Sequence, residues 1–147
     1  MMAGELWPDV EGALRDYLRA DTDMAGIGVW FALPDDPTFP NVQIIRISGG
    51  ESATSEAPVD LCLVQMDVRG PVKRLSVATA ALGNLRKSLS KIRGRVQVAG
   101  KADLFGATVI DVRRFPEPNQ QDTDGAQGER PRYVLTVQVT ALAPSSP

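Results

Sequence analysis

Histidine is absent from the 147-residue chain. With it go the commonest general base at neutral pH and the commonest protein ligand for zinc and iron, which excludes most hydrolase and metalloenzyme designs. Cysteine occurs once, at Cys62, so no disulfide can form within the chain. Its place in the alternating run Leu61-Cys62-Leu63-Val64-Gln65-Met66-Asp67-Val68 makes it a core thiol rather than a reactive one. No apolar stretch approaches the roughly eighteen residues of a membrane span, and Met1 to Pro8 lack the positive start and apolar run of a signal peptide. The expectation is a protein made and kept in a cytosol.

What is present suits a folded protein. Hydrophobic residues make up 43% and charged residues 23%, which is too apolar for a chain that stays disordered. A chain of this length buries roughly two thirds of the surface its unfolded form exposes, so one domain over residues 1–147 is expected.

Periodicity assigns the elements. Pro8-Asp9 followed by Val10, Leu14, Tyr17 and Leu18 gives an N-cap and an apolar face, predicting a short amphipathic helix over 9–20. Asp21-Thr22-Asp23 is turn-like. Val29-Trp30-Phe31-Ala32-Leu33 reads as a strand, Pro34, Pro37 and Pro40 force a loop, and Val42 to Ile47 reads as a second strand. Gly49-Gly50 through Ser55 is expected to be a loop, followed by a long strand from Asp60 to Arg69 that ends at Gly70-Pro71 and turns Cys62, Val64, Met66 and Val68 to the core. From Val72 to Arg93, Leu75, Ala78, Leu82, Leu85, Leu89 and Ile92 step by three and four, drawing one stripe along a long central helix. Gly83 within it costs about 1 kcal/mol relative to alanine and marks either a close approach to the sheet or a kink. Arg95 to Val98 is a short strand. Thr108 to Arg114 is a longer one with Ile110 and Val112 on one face. Arg132 to Leu142 alternates Tyr133, Leu135, Val137 and Val139 inward against Thr136, Gln138 and Thr140 outward. Residues 116–131 form an expected mobile loop, and 143–147 a frayed tail. The fold class is α+β: an antiparallel or mixed sheet covered by the short N-terminal and the long central helix.

No motif carries chemistry. Gly26-Ile27-Gly28 precedes its strand and opens no helix, so it places no helix N–H groups against a phosphate. Asp122, Asp124 and Glu129 around Gly125 lack the ligand ladder of a calcium loop. Ser88 and Lys91 have Ser-x-x-Lys spacing without a partner motif and read as exposed helix residues. Asp35-Asp36 sits in turn chemistry with no sign of a buried partner to raise a pKa. Nothing implies a cofactor or a metal, and the chain is not expected to be an enzyme.

Charge is the informative feature. Met1 to Asp67 hold twelve acidic and three basic residues, whereas Val68 to Lys101 hold nine basic and no acidic ones. Lys73, Lys87 and Lys91 are expected on the helix face opposite the leucine stripe, flanked by Arg74 and Arg86. Three readings stay open. The two segments pair within the monomer as surface ion pairs of little individual worth. They pair between subunits, head to tail, which closes a ring where the rotation permits. Or the basic helix, residues 73–93, binds nucleic acid, which is disfavoured because residues 68–101 carry no aromatic for stacking and is testable by changing Lys87 and Lys91 to glutamate.

The short N-terminal helix, the Pro-rich turn into Asn41-Val42-Gln43-Ile44-Ile45, the strand running into Gly70-Pro71 and a helix, and the closing Arg130-Pro131-Arg132-Tyr133-Val134 strand together resemble the tail terminator family of long-tailed bacteriophages, particularly those infecting actinobacteria. The likeness spans Leu6 to Leu142 and rests on element order, because this family has no catalytic signature; the polar loop 116–131 matches no family element. The resemblance implies a ring, hexameric, seated on the last ring of tail tube protein. That ring stops tube growth and presents the surface to which the filled head attaches through a head–tail connector protein. It also implies assembly in the host cytoplasm, a final place at the head-proximal end of the virion tail, no membrane association, and DNA passing through the lumen without specific binding. Such a lumen favours acidic or neutral side chains, so the basic helix should face outward or toward a neighbour. Sheet-edge pairing and charge complementarity would hold the ring, with about 800 Å² buried per partner and Arg46, Arg74, Arg86, Lys87, Arg113 and Arg114 as interface candidates. Another head–tail connector, adaptor or completion protein is the alternative within the same class.

Overall fold

A computed structural model describes residues 9–51, 59–98, 100–115 and 131–142. The expected mobile loop, apart from Pro131, and the expected frayed tail lie outside the described residues. Asp9 caps the first helix, its carboxylate accepting from the Gly12 amide at 3.0 Å. The helix, α1 (Val10–Ala20), then buries Val10, Ala13, Leu14 and Leu18 on one side, as the apolar spacing predicts. Asp21 adopts extended geometry and ends it, and its side chain caps the 3-10 turn Thr22–Met24 that follows.

The first strand, β1 (Gly28–Trp30), is shorter than the apolar run through Leu33 suggested. It lies parallel to the start of the second strand, β2 (Asn41–Glu51), and pairs only with Asn41, Val42 and Gln43. The chain must turn back at Phe31 so that β2 can begin beside β1, and the proline-bearing residues 31–40 make that return. Arg19 holds the arrangement from α1, donating to the Val29 carbonyl from two guanidinium nitrogens at 2.9 and 2.6 Å.

Gly49-Gly50, expected in a loop, instead extends β2: the two glycines pair with Cys62 and Leu61 of β3 (Val59–Arg69). Residues 52–55 of that expected loop are outside the described residues. A bulge at Ile47 shifts the register between Arg46 and Ser48 and exposes the Ile47 side chain. The inward set of β3 is as expected, with Cys62, Val64, Met66 and Val68 all buried.

The second helix, α2 (Leu75–Ser90), is shorter at both ends than the stripe from Val72 to Arg93. Lys73 has a φ of 60°, a left-handed backbone that cannot continue a helix, so Lys73 and Arg74 precede α2 rather than share its polar face. Leu75 in the first turn is exposed, while Ala78, Ala81, Leu85 and Leu89 are buried. Gly83 faces open space, so it does not itself make a close approach to the sheet. That approach belongs to Gly70, where an added Cβ would lie 2.8 Å from the Ala78 Cβ and 3.1 Å from the Ala78 nitrogen.

After α2 come β4 (Arg93–Val96), β5 (Asp103–Phe115) and β6 (Arg132–Leu142). Ile110 and Val112 do not share a face. The register steps from Val109 opposite Val137 to Asp111 opposite Thr136, which leaves Ile110 as the extra residue of a bulge. Ile110 is exposed, whereas Val109 and Val112 pack against the core. The pattern of β6 is as expected: Leu135, Val137 and Val139 are fully buried and Tyr133 packs beside them.

The strands form one six-stranded sheet in the order β1-β2-β3-β6-β5-β4, parallel at β1–β2 and antiparallel elsewhere. The protein is α+β, a mixed sheet with α1 and α2 on one face, where Leu14, Leu18, Leu85 and Leu89 share a single core with Met66 and Leu135. The other face is free of helices among the described residues.

Candidate functional site

Two regions gather chemically distinctive side chains. The first is a polar joint where the acidic start of the chain meets the basic helix. Lys91, at the end of α2, donates to Asp21 at 2.6 Å and Asp23 at 2.8 Å, and Lys87 stands 3.5 Å from Asp23. Ser88 is fully buried, not exposed as its sequence context suggested. Its hydroxyl donates a short hydrogen bond to Asp21, and its carbonyl accepts from the Tyr17 hydroxyl at 2.8 Å. A buried serine is tolerated on the helix's inner face because the carboxylate of Asp21 satisfies it.

This joint borders a pocket of about 470 Å³ lined by Asp16, Tyr17, Ala20, Asp21, Lys91, Gln97 and Val98. Burial pushes Asp21 up, but the hydrogen bonds from Lys91 and Ser88 outweigh it, so the carboxyl ends below its ordinary range. The hydrogen bond from Lys91 holds Asp23 low as well. The same two carboxylates raise Lys91 above its ordinary value, and burial raises Tyr17. All four groups are thereby fixed in their ordinary protonation states at neutral pH. Lys91 thus holds its proton tightly, and the fully buried Ser88 donates its proton to Asp21. The residues of the Ser-x-x-Lys spacing take part in an ionic clasp between α1's end and α2. Among the described residues, no three of His, Cys, Asp and Glu stand together to hold a metal, and no helix is long and apolar enough to cross a membrane.

The second region is the outward surface. Between α2 and β5 lies a groove of about 530 Å³ lined by Leu89, Ile92, Phe105 and Val109, with Arg86 and Arg93 at its rim. Phe105 is the extra residue of another bulge in β5, between Leu104 opposite Ala141 and Gly106 opposite Thr140, and bulges re-aim side chains in this way. On the helix-free face, a ladder of polar contacts crosses β2 and β3. Gln43 donates to the Phe31 carbonyl at 2.9 Å, Arg69 donates to Gln43 and to Asp67 at 3.1 Å each, and Gln65 donates to Asp67 at 2.8 Å. Ile45 and Leu61 stand exposed on the same face.

The six interface candidates are dispersed. Arg46 is tied to Glu11 of α1 at 3.1 Å, and Lys87 belongs to the joint. Arg113 pairs with Asp111 of its own strand at 3.0 Å, and Arg114 is half-buried near the end of β5. Arg74 is exposed at the start of α2, and Arg86 is exposed on the groove. Of the six, Arg86 lines the groove described above. Sequence reasoning missed its partner Arg93 and the aromatic Phe105, because both depend on a bulge and a helix end that alternation does not reveal.

Compared with known proteins, the sequence matches no family model, and no curated protein matches it either. Among solved structures the fold does recur. A chain of a structure titled "Virion of native gene transfer agent (GTA) particle" superposes with a TM-score of 0.65 at 14% identity, covering 91% of this chain and 95% of that one. At that identity the likeness is one of fold, carried over nearly the whole length of both chains.

Proposed function

We propose that this protein is a structural subunit of a phage-type virion, a tail terminator that assembles into a hexameric ring, caps the tail tube, stops its polymerisation and presents the surface for head attachment. The observation that carries the reading is the end-to-end likeness of fold to a chain of a virion particle. It is supported by the order of elements, which resembles the terminator family, and by the ionic clasp, which gives the Ser-x-x-Lys spacing a structural role. The one-domain chain is the building unit; its partners are further copies, tail tube protein and a head–tail connector protein. Binding of nucleic acid by the basic helix is weakened as a reading because Lys87 and Lys91, its central cations, are engaged by Asp21 and Asp23.

Light scattering after size exclusion tests ring formation. The expected species has six times the mass of one 15.8 kDa chain and appears as a ring with an open lumen under negative stain. A chain that stays monomeric at every concentration and salt would overturn the self-assembling ring.

A further inference from the structure

Two oppositely charged features of the surface have no ionic partner among the described residues. Arg86, on the rim of the groove between α2 and β5, meets no carboxylate among the described residues, and the guanidinium of Arg93 beside it donates to the Ser90 carbonyl at 3.1 Å but likewise meets no carboxylate among them. Asp35 and Asp36 are exposed in the loop after β1 and likewise unpaired. Their loop is Leu33-Pro34-Asp35-Asp36-Pro37, in which the prolines restrict the backbone and so reduce the order to be gained on docking. Leu33 beside the acids is only half-buried.

Placement decides who can meet whom. β1 is one edge strand of the sheet and β4 the other. Within one chain, Asp35 and Asp36 make no ion pair with Arg86 or Arg93. A second copy can bring them together, and the contact is heterologous, the kind that generates rings when its rotation closes. We infer that the acidic proline loop 33–37 of one subunit docks in the Arg86–Arg93 groove of the next, with Leu33 against Phe105 and Val109 and the two aspartates against the two arginines. This rests on the ring reading above and names the surfaces that would join its subunits.

The test uses the full chain in two charge-reversed forms, Asp35→Lys with Asp36→Lys and Arg86→Glu with Arg93→Glu, each checked for wild-type circular dichroism and melting. All four positions are exposed, so the fold should be indifferent to them. Each form alone should require at least about a tenfold higher concentration to assemble than wild type, because like charges then face each other at every contact. Mixed in equal amounts, the two forms should recover the wild-type mass, since in an alternating ring every loop again meets a groove of opposite sign. A wild-type ring that is indifferent to both reversals, or folded variants whose mixture fails to assemble, overturns this contact while leaving the ring intact. A wild-type monomer overturns the ring and the contact together.

Discussion

Asp21 does three things at once: it ends α1, caps the following turn, and accepts from Ser88 and Lys91 of α2. Its folded pKa lies below the ordinary 3.8, so an unfolded chain takes up the proton first as pH falls. The stabilisation is therefore whole above about pH 4 and is lost as acid titrates the folded carboxyl. Lys91 lies on the other side. Its folded pKa is raised above 10.5, so its contribution is whole below that value and fades as pH rises through the folded pKa. Asp21→Asn, which keeps a capping oxygen but removes the charge that Lys91 and Ser88 bind, should cost about 1 to 2 kcal/mol at neutral pH. In melting curves taken from pH 7 downward, the gap between variant and wild type should close below pH 4; a gap unchanged at pH 2.5 would show that the charge of Asp21 is not what binds the helices.

Among the elements, the contact between the end of β3 and α2 is set by Gly70, which has no side chain to hold Ala78 off. Gly70→Val should cost about 1 to 3 kcal/mol through overpacking, read as a lowered urea midpoint, while Gly83→Ala on the exposed side of the same helix should stabilise by roughly 0.5 to 1 kcal/mol. Of the two readings of Gly83, the close approach is not made there but at Gly70, because propensity registers a glycine inside a helix but not the distance between a strand end and a helix. α1, β3 and β6 were legible because each buries one face and leaves a clean period in its side chains. What was not legible shares one cause: bulges at Ile47, Phe105 and Ile110 add a residue to one strand only, and a single-chain period cannot show a mismatch with its neighbour. The candidate site suffered from the same limit. Charge segregation was visible, but which cations are consumed internally depends on contacts such as those of Lys87 and Lys91 with Asp23, which bring together residues far apart in sequence.

For the whole molecule, the pairing of Asp21 and Asp23 with Lys87 and Lys91 shows that part of the charge partition is satisfied within the monomer, while Asp35, Asp36, Arg86 and Arg93 have no ionic partner among the described residues. The two open edges have a further consequence. β1 covers only the first three residues of β2, and β4 pairs only with the early part of β5, so the far ends of β2 and β5 are uncovered by other strands among the described residues. Both uncovered stretches carry a bulge, at Ile47 and at Ile110, and a bulged edge is a poor template for indiscriminate strand addition. Deleting Ile47, which would straighten that edge, should bring thioflavin-positive aggregate to a chain that otherwise stays clear at the same concentration. The irregularities that hid these strands from the sequence thus guard both uncovered edges against strand-by-strand fibrillisation.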